Sequence, residues 1–340
     1  MSDRGPIVLG TGLVCSVGLS SDSACAAIRA RVSAASDTRF QDAAGEWIRG
    51  HNVALKSPLN GSARLARMAV MVIEEALAGI PREQWGSIPL LFCLSEAERP
   101  GRPASLDREL PDLVMRELVA DQHTESRVIS AGKVSALVAV QAASDLLRKV
   151  SRVLVVGVDS LVTWPVLRQL DVASRLLSDA NSDGFMPGEG AGALLLGLTA
   201  DRPALRLLGA GFEVEKAVSG SGQPHRADGL TSAIKAALAS AAFGMHDIDY
   251  RISGLSGEQY FFKETTLALL RTLRTRREQL DIWHPAEFIG ETGAVAGIAA
   301  VVLAQAAAMH GYAPGARVMI QMTNDDGRCA AIVMAREGSP

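Results

Sequence analysis

The sequence predicts an α/β protein made of two similar halves, and three observations carry that expectation. Short β-branched runs alternate with longer amphipathic or apolar segments along all 340 residues. The order strand, helix, strand occurs on both sides of about residue 200. No stretch rich in Pro, Ser or charge separates independent domains. The expected division is 1–200 and 201–340, two halves of one intertwined unit.

Taken in order, Ile7-Val8-Leu9 reads as a strand that breaks at Gly10-Thr11-Gly12, followed by a helix over 21–30. Residues 63–77 place Leu65, Met68, Val72 and Ile73 on one helical face, with Arg64, Arg67, Glu74 and Glu75 largely opposite. A buried strand is expected over 88–94, and the proline- and charge-rich segment 96–104 reads as a surface loop. Val128-Ile129 leads into a long helix over 133–149, then a strand over 153–156 and a turn over 157–160, a pattern that predicts a parallel crossover. Strands over 193–196 and 204–208 precede a second round: helix 231–242, strand 250–252, helix 264–275, a last helix within 294–309, and strands 318–322 and 330–334.

Composition narrows the function classes. A formal net charge of −3, with 21% charged and 48% hydrophobic residues, lacks the basic excess of a nucleic-acid binder. The longest apolar stretch, 294–309, is interrupted by Gly297 and Gln305 and is too short to span a bilayer. The N-terminus has no basic region leading into an apolar core. A cytoplasmic protein with no membrane role is therefore expected. Cys15, Cys25, Cys93 and Cys329 are scattered without metal-ligand spacing, which predicts reduced, buried thiols and neither metal nor redox cofactor.

The segment SDGFMPGEGAGALLL (182–196) resembles the β-ketoacyl-acyl-carrier-protein synthases, where such a segment leads from a loop beside the active site into a core strand. Within it Gly188, Glu189, Gly190 and Gly192 form the structural motif. The glycines are expected to allow close backbone approach and positive φ, and Glu189 to be buried and hydrogen-bonded. GTGLVCSVG (10–18), ARLARMAVMVIEEAL (63–77), VLVVGVDS (153–160) and PHRADG (224–229) match that family in the same order. The resemblance implies a thiolase-like fold: duplicated α/β halves with two stacked mixed five-stranded sheets around buried central helices. It also implies a homodimer and an acyl carrier protein or other protein as partner.

The same resemblance implies where the chemistry of the family would sit. The acyl-accepting cysteine at the start of a buried helix aligns with Gly132, which offers no nucleophile. Ser130 and Ser135 are the nearby hydroxyls and Lys133 the nearby cation; their bland reading is buried or helix-capping. The first family histidine aligns at Ser253, Gly254 or Ser256, the second with Glu291 in the glycine-rich turn 290–297, and the family lysine with Ala286. An ionised Glu291 would repel a malonyl carboxylate and its enolate; the residue is expected to cap the following helix or to pair with Lys133. The polar segment 323–329 replaces the family's glycine- and phenylalanine-containing gate, so that gate is expected to be dismantled. His284, His123 and His225 read as loop, surface or capping residues. Arg271, Arg274, Arg276 and Arg277 read as a basic helical run, either a docking face for an acidic partner or a solvated face.

These readings favour a catalytically degenerate relative acting as scaffold, chaperone or accessory subunit. The alternatives are an acyltransferase or thioester-processing enzyme with a site rebuilt around Ser130, Lys133, Ser135 and Glu291, and a chain-length-factor-like partner of an active ketosynthase.

Overall fold

The computed structural model describes residues 5–338. The chain runs β1 (Ile7–Val14), α1 (Ser21–Arg29), β2 (Ser36–Gln41), β3 (Trp47–Gly50), α2 (Gly61–Ala76), β4 (Leu90–Leu94), α3 (Leu106–Leu118), β5 (Arg127–Ser130), α4 (Ser135–Leu146), β6 (Val153–Ser160), α5 (Trp164–Val172) and β7 (Glu189–Gly197). It continues through β8 (Ala204–Val214), α6 (Asp228–Ala241), β9 (Tyr250–Ser253), α7 (Gln259–Thr272), β10 (Asp281–Trp283), α8 (Ala286–Ile289), α9 (Ala296–Met309), β11 (Arg317–Thr323) and β12 (Arg328–Glu337).

The duplication is visible in the strand order. One five-stranded group runs β1-β7-β6-β4-β5 and the other β8-β12-β11-β9-β10. Counted along the chain, each follows the order first, fifth, fourth, second, third. Each also has the same sense: its last three strands are mutually parallel, and the second is antiparallel to both neighbours. The groups meet edge to edge where Ile7 of β1 pairs with Arg206 of β8.

Packing follows from hydrophobic patterning. In β6, Val153 and Val155 face the central cluster while Leu154, Val156 and Val158 face α2 and α3. A strand buried on both faces needs such a continuous apolar run. The central cluster draws α4 and α9 together with residues of both sheet groups, and α6 and α7 cover the outer face of the second group. The layers are therefore helices, sheet, helices, sheet, helices. Apolar on nearly every side, α9 is the core of the molecule.

Several boundaries differ from the sequence reading. Gly10-Thr11-Gly12 does not end β1; the strand continues to Val14, and its glycines make room for the backbone of α2 at Ala76 and Val72. Residues 157–160 are not a turn but the second half of β6, paired with β7 as far as Ser160 opposite Glu189. α7 starts earlier than expected and ends at Thr272, so Arg274, Arg276 and Arg277 do not continue a helical run. Arg271 instead bonds Asp228 at 2.6 Å, and Arg277 bonds the Ile248 carbonyl. The β2–β3 hairpin and helices α3 and α5 were not expected from the sequence, although α3 carries a helical repeat of buried residues at Leu106, Leu110, Val114 and Leu118.

One central contact is tight enough to test. A Cβ at Gly157 would lie 2.7 Å from Ile298 Cδ1 of α9. Gly157→Ala is expected to cost about 1–3 kcal/mol by overpacking and Ile298→Val alone about 0.5–1.5 kcal/mol. Urea unfolding of the double variant should show a loss smaller than the sum of the two, because valine removes the clashing methyl.

Candidate functional site

Two buried helices begin side by side at the centre of the molecule. Each starts with a single turn of 3₁₀ helix led by a left-handed glycine: Gly132 (φ +56°) before α4 and Gly293 (φ +54°) before α9. Glycine takes this conformation without the steric cost other residues meet. Both turns also face a carboxylate. A side chain at Gly132 would run into the Glu96 carboxylate, and one at Gly293 into that of Asp159.

Both carboxylates come from strand ends. Asp159 lies near the end of β6 and is nearly saturated: it accepts Arg99 through both oxygens (2.7 and 2.6 Å), Ala294 N (3.0 Å) and Ser160 N (2.8 Å). Glu96 follows β4, and burial raises its pKa against the opposing pull of its own backbone and Arg99. Segment 96–104 is therefore not merely a surface loop. It turns inward, so that Arg99 reaches Asp159 while Arg102 reaches Asp107, Ser95 and Ser130.

Glu291 takes both roles expected of it. Its Oε1 accepts Gly293 N at 2.9 Å, placing negative charge at a helix start, and its Oε2 pairs with Lys133 Nζ at 2.9 Å. The two side chains are only 4% and 8% exposed. Lys133 also stands 4.8 Å over the Phe261 ring. Burial disfavours its ammonium, but Glu291 and Asp325 outweigh that and hold the pKa above the ordinary lysine range.

The remaining candidates are accounted for by local bonds. Ser135 donates to the carbonyls of Gly132 and Leu94, so its hydroxyl is committed inside the helix start. Ser130 donates to Asp107 Oδ1 at 2.5 Å, a neighbour that sequence spacing did not suggest. Asp107 is in turn held by Arg102. Ser253 is buried and accepts Leu255 N at 3.2 Å. It shares with Gly254, Ala286 and Glu291 a void of about 10 Å³, room for about one water.

Motif residue Glu189 is buried and bonded on all sides, by Val53 N (2.8 Å), Arg64 and Ser160 Oγ (3.0 Å). Gly188, Gly190 and Gly192 do not have the positive φ expected of them. Their role is close approach: a Cβ would strike Ile289 O, Val14 O and Ile298 respectively.

The polar segment that stands where the family has its gate is pinned in place. Asp325 pairs with Arg175 at 2.6 Å, Arg175 also grips Glu258 at 2.7 Å, and Asn324 Nδ2 donates to the Ala131 carbonyl at 2.6 Å. His51 went unnoticed in the sequence. It is fully buried, bonds Ser16 Oγ at 3.1 Å, and is pushed down to about 4 by burial and Arg49, so it is neutral near pH 7. His225 stacks on Tyr260 at 4.2 Å, and His123 accepts Glu125 N at 3.1 Å. The four cysteines are free and buried. Among the described residues no group of three or more His, Cys, Asp or Glu is arranged to hold a metal ion, and no helix is long and apolar enough to cross a membrane.

Two variants test this electrostatics. Lys133→Met leaves Glu291 buried without its cation and is expected to lower unfolding free energy by about 3–5 kcal/mol in denaturant titration. Glu264, 1% exposed, is raised from 4.5 to about 7, chiefly by burial. The folded state keeps this proton where the unfolded chain has lost it, so the contribution is full below the unfolded value and is lost as pH rises through about 7. Relative to Glu264→Gln, the parent should lose on the order of 3 kcal/mol of stability between about pH 5 and pH 8.

Residues 122–201 match the family described as Beta-ketoacyl synthase, N-terminal domain. No curated protein matches the sequence. Among solved structures, the chain is similar over 98% of its length to the ishigamide ketosynthase/chain length factor, covering 100% of that chain with TM-score 0.78 and 18% identity. It is similar over 99% of its length to the oxazolomycin ketosynthase domain of Streptomyces albus JA3453, covering 75% of that chain with TM-score 0.80 and 15% identity. The ketosynthase from module 6 of the bacillaene synthase of Bacillus subtilis 168 is matched over 98% of this chain and 72% of that one, with TM-score 0.76 and 16% identity. Residues 122–201 carry the family signature, and the chain as a whole carries the fold, of the thiolase-fold β-ketoacyl synthases.

Proposed function

We propose that this chain is a non-catalytic β-ketoacyl synthase-like protein that serves as an accessory subunit or scaffold. One observation carries the reading: the Glu96 carboxylate fills the space that a nucleophilic side chain at position 132 would need. The Lys133–Glu291 pair supports it, placing a buried ion pair where the family resemblance calls for a histidine. Condensation needs a nucleophile and free donors for a developing enolate; the absence of a side chain at Gly132 and the occupation of Gly293 N and Ala294 N by Glu291 and Asp159 support the non-catalytic reading.

The partner is a protein. β5 lies at the end of the strand order with one edge unpaired, and Val128, Ile129 and Ser130 are only half-buried, a surface suited to a second copy of this chain. Halves 1–200 and 201–340 act as one unit, working in the cytoplasm, where the four free thiols stay reduced. A second reading has its own support: a cleft of about 690 Å³ opens onto Arg99 and Arg102, and Arg102 bonds Ser130 of the rebuilt site, although none of Ser130, Lys133, Ser135 and Glu291 lines the cleft itself. The full-length likeness to a ketosynthase/chain length factor supports a third, in which the chain pairs with an active ketosynthase.

Intact-protein mass spectrometry after incubation with acyl- and malonyl-loaded carrier protein separates these. The expected result is no adduct and no decarboxylation above a carrier-only control. An acyl adduct on Ser130 or Ser135 would establish the rebuilt site instead. Light scattering is expected to give a homodimer that added ketosynthase does not disturb; a heterodimer would favour the third reading.

A further inference from the structure

A second cavity, of about 310 Å³, opens between α1, β10, α8 and α9 and meets the region of Glu291 only through Pro285, which also lines the small void there. Its walls are rings: Trp283, Phe288 and Tyr312, with Trp283 and Tyr312 stacked at 6.5 Å between centroids. Ile28 and Leu303, both buried, add aliphatic surface. Aromatic and apolar lining with a few convergent polar groups is the usual make-up of a small-ligand site, and the volume is at the small end of that range.

The polar groups specify the ligand further. Arg29, in the last turn of α1, holds its guanidinium 4.3 Å over the Tyr312 ring and has no carboxylate partner among the described residues. The other cation at the rim, Arg31, is already tied to Glu287 at 2.7 Å. His284 lines the same cavity, and its Nδ1 is buried without a hydrogen-bond partner. Burial lowers the His284 pKa, so near neutral pH its ring is uncharged and the attraction for an anion rests on Arg29. A cationic ligand would face both arginines, and a neutral one would leave Arg29 unpaired. A phosphate would find too few donors to satisfy its oxygens.

We propose that this cavity binds a small planar aromatic carboxylate, its ring against Trp283, Phe288 and Tyr312 and its carboxylate on Arg29. His284 Nδ1 offers one hydrogen bond to a polar ring substituent. The inference stands independently of whether the chain is catalytic.

Calorimetric titration of the full chain with benzoate, 1-naphthoate and indole-3-acetate, with indole-3-acetamide as the uncharged control, tests it. At least one acid should bind. Arg29→Gln is expected to weaken that acid about tenfold, the scale of one lost charge-assisted hydrogen bond, while leaving the amide unchanged. Arg29 is exposed, so this variant is expected to fold. Trp283→Leu, checked by circular dichroism for retained fold, should abolish binding of both acid and amide. Failure of every acid to bind, equal binding of acid by the parent and Arg29→Gln, or binding that survives Trp283→Leu would each overturn the proposal.

Discussion

Lys133 and Glu291 lie 2.9 Å apart where almost no water reaches them, and much of the centre of the molecule is arranged around that fact. Buried ions are tolerated only when their remaining protons and lone pairs find partners, since removing one partner of such a pair strands the other. Glu291 meets this demand by accepting Gly293 N as well as Lys133, and Lys133 by standing over Phe261. The neighbouring Asp159 obeys the same rule with Arg99 and two backbone N–H groups. Segment 96–104 has to turn inward to deliver Arg99. The geometry of a loop is thus set by charges on other elements.

This dependence explains what the sequence disclosed and what it did not. The alternation of strands and helices was legible because burial on one or both faces leaves a periodic mark: 63–77 anticipated α2, and 294–309 anticipated α9. Segments whose contacts are not periodic were not legible. The β2–β3 hairpin carries few buried residues, and the glycines of β1 resemble a turn until α2 is seen packed against them. At the site, the resemblance located Gly132 and Glu291, and charge alone suggested the pair with Lys133. Glu96, Arg99, Arg175 and Asp325 were beyond reach, because long-range ion pairs between loops have no spacing rule to betray them.

The pinning of segment 323–329 belongs to the same network. Arg175 bridges Asp325 and Glu258, and Asn324 reaches the backbone just before Gly132. A flexible gate over a working site needs contacts that can be exchanged at little cost. Here the segment is held by a bidentate guanidinium and a bond to the buried helix start, an arrangement that ties the C-terminal half to the N-terminal one.

An active site stabilises a transition state with donors that are free, or poorly satisfied, until charge develops. At the start of α9 two N–H groups that could serve as such donors, Gly293 N and Ala294 N, are already occupied by Glu291 and Asp159. Unsatisfied buried polar atoms do lie near these helix starts, among them Arg99 Nε, Asn324 Oδ1 and Glu264 Oε1, but Arg99 Nε belongs to a guanidinium already held by both oxygens of Asp159. Electrostatic satisfaction at the helix starts therefore works against enolate chemistry there and in favour of a rigid core. That is the physical ground on which a subunit with a structural task is the reading to prefer.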